Sequence, residues 1–264
     1  VEAAVVEHLT TSEYRRPEQL PDGAVLVVGG GQSGCQITDE LLRSGRQVYL
    51  AIGRCGWFPR RYRGRDMLDW AADLGFLDQT VDTLPSPAAR LACNPPISGN
   101  DGGHDCHPRW LGGRGAVIVG RLEGVEGSRA TFARGVEETL GAGDAFASEI
   151  MGAIDEYVAG HGLVAPDAEP RETGVAHVPD TPELNLTEAG VASIIWAAGF
   201  RPDYSWIDLD VADEYGWPMQ QRGVSPHDGL YFVGVNWLHK RKSALLCGVG
   251  EDAEHVVSTL VSRG

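Results

Sequence analysis

The sequence has no apolar run long enough to cross a bilayer and no basic N-terminal segment leading into an apolar stretch, so neither a membrane helix nor a secretory leader is expected. It has no C-x-x-C pair, and its five cysteines, Cys35, Cys55, Cys93, Cys106 and Cys247, are an odd, scattered set. That usage argues against a disulfide framework and against a redox-active pair, and points to a reducing, cytoplasmic setting. No repeat of fixed period and no low-complexity tail is visible. Positive charge is scarce: 22 Lys and Arg against 37 Asp and Glu give a formal charge of -15, which speaks against a general nucleic-acid role.

What is present is a chain of 264 residues, enough for one large or two modest domains, with 42% hydrophobic residues and 35 glycines. This is the composition of a turn-rich α/β protein. Its charge is uneven, since Arg54, Arg60, Arg61, Arg63 and Arg65 form a basic island in an acidic sequence. A phosphate-bearing small ligand is the economical reason for such an island.

The organising stretch is Ala24-Val-Leu-Val-Val28, followed at once by Gly29-Gly-Gly-Gln-Ser-Gly34 and Cys35-Gln-Ile-Thr-Asp-Glu-Leu-Leu42. Five apolar residues predict a buried parallel strand, and Ile37, Leu41 and Leu42 predict a helix with one apolar face. Between them, Gly29, Gly31 and Gly34 fit G-x-G-x-x-G: one glycine for the sharp turn, one to let a phosphate reach the backbone, one for close helix–strand packing. The helix start then offers N–H groups and a positive dipole end to a pyrophosphate, with Gln32 and Ser33 as candidate side-chain donors. Cys35, in the first turn, reads as a packing residue whose thiol the dipole would acidify.

Residues 46–52 predict the next parallel strand, and its end selects the dinucleotide. Leu50, Ala51 and Ile52 supply no acid for a ribose 2′-hydroxyl, while Arg54 follows directly and could present a planar fork to a 2′-phosphate. The expected ligand is NADP(H). Arg60 and Arg61 are further candidates, although a solvated basic loop or a docking surface explains them equally well.

Farther along, helical spacing predicts helices over 66–77, 144–161 and 243–261, and apolar runs predict strands at 115–120, 191–196 and 230–235. Residues 121–125 suit a further strand after a bend, 129–139 an edge strand or hairpin arm, 165–185 an extended passage and 208–227 small hairpins. Asp101, His104, Asp105, Cys106 and His107 gather possible metal ligands, but their spacing matches no familiar zinc pattern. A loop ordered by His104 or Asp105, lying over the nicotinamide, is the preferred reading. The turn at Ala197-Ala-Gly199, the strand ending at Gly234 with Asn236 beyond it, and the helix start at Ser243 are candidate sites of close backbone approach to a cofactor. No residue is assigned a catalytic role.

The motifs Tyr14-Arg-Arg-Pro17, Val25-Leu-Val-Val-Gly-Gly-Gly-Gln-Ser-Gly34, Trp196-Ala-Ala-Gly-Phe-Arg-Pro-Asp203, Gly229-Leu-Tyr-Phe-Val-Gly234 and Trp237-Leu-His-Lys-Arg-Lys-Ser-Ala-Leu-Leu246, in this order, resemble the flavin-dependent monooxygenase group, in particular the CzcO-like FAD/NAD(P)-binding oxidoreductases. The resemblance implies an α/β, Rossmann-like NAD(P)-binding domain of the two-dinucleotide-binding-domain flavoprotein type, plus the C-terminal part of the FAD domain. It implies that residues 1–23 connect from an N-terminal FAD half, that 24–190 bind NADP(H), and that 191–264 complete the FAD domain, with Gly199, Gly234, Asn236 and Ser243 near the flavin. Arg201 and His239 fall at the same junction or serve ordinary loop packing. Two departures stand out: alanine replaces the family's usual threonine at 197–198, and no second glycine motif precedes Gly29.

The expectation is therefore a fragment or subunit of an NADPH-dependent flavoprotein acting on a small-molecule substrate with FAD and O2. Its FAD would depend on a missing N-terminal segment or a partner chain. The alternatives are a flavin reductase or oxidase without substrate oxygenation, and a non-catalytic NADP(H)-binding subunit or sensor.

Overall fold

The structure is a computed structural model that describes residues 6–168 and 174–263. The start of the lead expected from Val1, and residues 169–173 of the extended passage, lie outside the described residues. Two compact units are present: residues 1–67 with 93–199, and residues 68–92 with 200–264.

The first unit is built on a five-stranded parallel sheet. Along the chain the strands and helices are β1 (Glu7–Thr10), β2 (Ala24–Val28), α1 (Gln32–Arg43), β3 (Val48–Ala51), a short hairpin of β4 (Arg61–Tyr62) and β5 (Arg65–Asp66), α2 (Met67–Asp73), which runs into the second unit, α3 (Pro108–Gly113), β6 (Val117–Val119), β7 (Leu122–Glu126), β8 (Arg129–Phe132), α4 (Val136–Gly160), β9 (Glu183–Asn185) and β10 (Val191–Trp196). The sheet order is β1-β10-β2-β3-β6, so the all-apolar β2 sits at the centre with every residue buried. Period-two alternation sends its side chains to two different cores. Val25 and Val27 join Ile37 and Leu41 of α1, Leu111 of α3, and Val136 and Leu140 of α4. Ala24, Leu26 and Val28 join Ala130 and Phe132 of the antiparallel β7-β8-β9 sheet, which covers the other face.

Of the two readings of 129–139, the hairpin arm holds and the edge strand does not: β8 pairs with β7 and is the middle strand of its sheet, and the chain turns helical at Val136. Four expectations are corrected. The helix expected from Asp144 thus begins two turns earlier, because its start is fixed from a distance. The Asp180 carboxylate accepts the N–H groups of Gly135 and Val136, and Glu137 sits in the first turn, where the helix dipole favours an anion. The helix expected over 66–77 stops at Asp73, since Gly75 takes a left-handed conformation (φ 70°) and closes it with a bond from its N–H to the Ala72 carbonyl. In the second unit, 230–235 is not a strand. Its backbone pairs only locally, Phe232 N–H to the Gly223 carbonyl and Tyr231 opposite Val224, and a strand needs a neighbour to form a ladder. The last helix, α5 (Val249–Arg263), begins six residues after Ser243, and residues 243–248 are turns.

Inside the second unit, Phe232 packs with Val211 and Leu238. Lys240 and Lys242 both pair with Asp78 and Glu251, and Arg241 lies over the rings of Phe76 and Trp237.

Arg109 ties α3 to α4. Its guanidinium, nine-tenths buried, donates to Glu137 (2.6 Å) and Asp144 (2.7 Å) and to the Val175 carbonyl. Replacing Arg109 with alanine removes the buried cation that joins two carboxylates, each more than a third exposed and each keeping a second donor, and is expected to cost ~1–2 kcal/mol in urea unfolding. The α4 start also sets an acid sensitivity. The Arg109 bond holds the Glu137 carboxyl below its usual range, and the N–H groups of Val136 and Gly135 do the same for Asp180. Both groups have folded pKa values below the unfolded ones, so their stabilisation is present above the unfolded carboxylate range and is lost as pH falls through the folded values. Asp180→Asn is expected to flatten the fall of the thermal midpoint between pH 5 and 3, read by circular dichroism.

Candidate dinucleotide site

At the C-terminal end of β2 the backbone turns at Gly29 (φ 129°), whose N–H bonds the Ala51 carbonyl at 2.8 Å. The turn is steric as well as conformational. A Cβ on Gly29 would lie 2.3 Å from the Ala197 carbonyl oxygen, and one on Gly34 would lie 1.7 Å from that of Gly29. Gly34 therefore lets the first turn of α1 rest directly on the loop it leaves.

Gly31 is the N-cap of α1, and no side chain caps the helix. The first intrahelical bond runs from the Cys35 N–H to the Gly31 carbonyl (2.9 Å), so the preceding N–H groups at 32–34 point out of the helix end. A Cβ at Gly31 would meet only Cys93, at 3.4 Å. This donor set fits a dinucleotide diphosphate: uncapped N–H groups, the positive end of a 12-residue helix, and a backbone bare of side chain where the anion would approach. No second strand–glycine–helix turn of this kind occurs among the described residues, so a flavin diphosphate has no equivalent cradle there.

The loop 93–99 lies in front of the turn. Gln32 pairs with the backbone of Ile97 through both ends of its amide, Nε2 to the carbonyl (3.1 Å) and Oε1 from the N–H (3.2 Å), and Gln36 Nε2 donates to the same carbonyl at 2.9 Å. Gln32 thus holds this loop, while the Ser33 side chain is exposed. Cys35 is the packing residue expected, fully buried with its thiol reaching the Gly30 carbonyl, but burial pushes its pKa up, opposite to the expected dipole effect.

Arg54 leaves β3 exposed, its guanidinium without a partner among the described residues. The later arginines are committed locally. Arg60 pairs with Asp66 at 2.7 Å, Arg61 donates to the carbonyls of Gly102 and Gly103, and Arg63 binds Asp155. The loop carrying His104 and Asp105 is ordered, and it is anchored to α1 and the hairpin. His104 Nε2 lies 3.1 Å from the buried Asp39 carboxylate, and Asp105 accepts the Arg60 N–H.

Gly199 (φ 85°) lies just beyond Ala197, whose N–H bonds the Val28 carbonyl, so it belongs to the first unit with Gly29 and Gly34. In the second unit Gly234 is in a left-handed turn (φ 77°), Asn236 is exposed, and Arg201 is exposed. Ser243 is buried, and its Oγ accepts the N–H groups of His239 and Lys240. That hydroxyl closes a turn and does not open a helix.

The sequence reading missed Cys55 and Cys93. Both are free thiols whose sulfurs lie 2.8 Å apart, with Cys93 beside Gly31. The 38 residues between them hide this in the sequence, and the one local signal is that Cys55 follows the strand-end Arg54 directly.

This architecture, a parallel sheet whose central strand runs through a glycine turn into a helix, is a Rossmann-like α/β fold that resembles the NAD(P)-binding domain of flavoprotein oxidoreductases. No family model matches the chain. It is 30% identical over 261 residues to an uncharacterized CzcO-like oxidoreductase of Geobacillus kaustophilus (98% of this chain, 58% of that protein) and 32% identical over 259 residues to the uncharacterized oxidoreductase CzcO of Bacillus subtilis (97% and 58%). The chain thus spans little more than half the length of these relatives. Among solved structures it shares the fold of a flavin monooxygenase from Stenotrophomonas maltophilia in a doubly substituted form (TM-score 0.56, 15% identity, 100% of this chain and 57% of that one) and of a second flavin-containing monooxygenase structure from that organism (TM-score 0.50). The chain is a distant relative of the CzcO-like oxidoreductases.

Proposed function

We propose that this chain is the NADPH-binding portion of a flavoprotein oxidoreductase of the monooxygenase type. The observation that carries the reading is the uncapped α1 start over Gly31, paired with a partner-free Arg54 at the end of a strand that offers no acid. The α1 N–H groups and Ser33 would hold the diphosphate, Gln32 would exchange its bonds to Ile97 as the ligand enters, and Arg54 would take the 2′-phosphate. A flavin, when bound, would accept hydride from the nicotinamide and activate O2 for transfer to a small-molecule substrate. This chain's share is to bind and orient the nucleotide and to keep water from it.

The FAD half would come from further polypeptide, in the same chain or in a partner. The second unit supports this by what it leaves uncovered: Val257, Leu260 and Val261, spaced i, i+3, i+4 on α5, are 57, 51 and 70% exposed, while Val256 is buried. Cytoplasmic placement belongs to the same reading. Among the described residues no helix is long and apolar enough to cross a membrane.

The test is titration of the purified chain with NADPH and NADH, followed by intrinsic tryptophan fluorescence, beside its visible spectrum with and without added FAD. Saturable NADPH binding at least about tenfold tighter than NADH supports the nucleotide assignment, which corresponds to ~1.4 kcal/mol. Absence of NADPH binding overturns it. Bound NADPH with no flavin uptake, alone or with a complementing segment, would favour the nucleotide-binding subunit over the monooxygenase.

A further inference from the structure

We propose that Cys55 and Cys93 form a reversible, hydroperoxide-made disulfide that fastens the 93–99 loop across the glycine turn and shuts the dinucleotide site. The closing effect rests on the assignment of Gly29–Gly34 to NADPH; the disulfide itself does not.

The two cysteines come from the two sides of the opening. Cys55 follows Arg54 at the β3 end, and Cys93 begins the loop whose Ile97 is clamped by Gln32 and Gln36. Their sulfurs are 2.8 Å apart, so a bond of ~2.05 Å needs less than ~1 Å of further approach. Cys93 also stands where the anion would come in, its Cβ 3.4 Å from the position a Gly31 side chain would occupy. A bond at this point fixes the loop against the space the diphosphate needs. Without it, the hydrogen bonds that tie the loop to α1 are those of two glutamine side chains with Ile97, and these can exchange for water or phosphate at little cost.

The pair is also built to react. Cys93 is exposed, whereas Cys35 and Cys106 are buried with their thiols pushed up by burial. The sulfur–sulfur hydrogen bond lowers the Cys93 pKa to about 7 against the opposing effect of the partial desolvation its neighbours impose, and it raises that of Cys55. Cys93 is thus the attacking thiolate near neutral pH, and Cys55 is the protonated partner that resolves.

The chemistry balances with a hydroperoxide as the oxidant. The Cys93 thiolate attacks the O–O bond, forming a sulfenic acid and releasing an alkoxide or hydroxide that takes a proton from solvent. The Cys55 sulfur then attacks the sulfenic sulfur: the S–S bond forms, the S–O bond breaks, and the leaving hydroxide departs as water with the Cys55 proton. Two thiols lose two electrons and two protons, and the peroxide is reduced to an alcohol, or water, plus water. A small dithiol reverses the bond by exchange.

The experiment treats the reduced chain with hydrogen peroxide, counts thiols, maps non-reduced tryptic peptides by mass, and measures NADPH affinity by tryptophan fluorescence before oxidation, after it and after dithiothreitol. The expected result is loss of two of the five thiols, a Cys55–Cys93 linked peptide, and an NADPH affinity weakened at least about tenfold and restored by the dithiol. Cys55→Ser should bind NADPH like the reduced chain and ignore peroxide. Cys247→Ser, altered in the other unit, should respond like the parent and so shows that the effect does not arise from cross-links through the other exposed thiol. A peptide map without the Cys55–Cys93 link overturns the proposal, as does a formed link that leaves the affinity unchanged. If the reduced chain binds no NADPH, the nucleotide assignment fails and the closing effect with it, while the peptide map still decides the disulfide.

Discussion

Gly34→Ala is expected to destabilise the first unit by at least ~3 kcal/mol, or to prevent its accumulation as soluble protein, with loss of nucleotide binding in any folded remainder. The added methyl would sit 1.7 Å from the Gly29 carbonyl oxygen and 3.4 Å from the Ala197 side chain. The first obstacle is backbone, held by the Gly29 bond to β3 and by the Ala197 bond to Val28, so no rotamer change relieves it. Relief requires α1 to lift from β2, which opens the core that Ile37 and Leu41 share with Val25 and Val27. A domain of ordinary stability has ~5–15 kcal/mol to lose.

Gly141→Ala supplies the opposite sign. Gly141 lies on the exposed side of α4 with no atom within 4 Å of an added Cβ, so the substitution should stabilise by ~0.5–1 kcal/mol through helix propensity and a less mobile unfolded chain. Urea midpoints of the two variants, compared with the parent, check both. A Gly34→Ala protein with parental stability would mean that α1 does not rest on the turn.

The contrast between these glycines explains what could be read from the sequence. The strand, turn and helix from Ala24 to Arg43 were legible because the constraint is local: β2 needs only its own apolar run, and the turn's glycines lie within six residues of one another. The α4 start was not legible, since Gly141, Gly143 and Asp144 look like a helix boundary when read alone. The structure keeps them helical through distant partners: Asp144 receives both Arg109 and Trp57, Gly143 gives room to the Cys55 carbonyl, and Asp180 caps the start 44 residues upstream of itself. The run 230–235 failed for the converse reason, as its apolar residues promised a strand for which the described residues offer only a local turn as partner. In the site, Arg54 could be picked out by its place after a strand, but the engagement of Arg60 with Asp66 and of Arg61 with two loop carbonyls is a product of folding.

That difference among the arginines makes the second large prediction. Arg54→Ala is expected to weaken NADPH binding by about 10–100-fold while changing NADH binding by less than about twofold. A charge-assisted bond to a phosphate is worth ~1.5–3 kcal/mol, and each ~1.4 kcal/mol is a factor of ten. NADH has no 2′-phosphate to lose it. Because Arg54 is exposed, its contribution should also be screened: raising ionic strength from about 0.05 to 0.5 M should erode the NADPH preference of the parent and leave that of the variant unchanged. Arg54→Glu goes further, setting a like charge against the 2′-phosphate and an acceptor near the ribose hydroxyl, and should invert the preference toward NADH. Arg60→Ala and Arg61→Ala are the internal comparison. Each would remove a contact within the basic loop and lower stability modestly, with both nucleotides affected alike. Were Arg61 to carry the NADPH preference instead, it would have to leave the Gly102 and Gly103 carbonyls on binding, and the variant series would then place the 2′-phosphate against the 100–105 loop and not at the β3 end.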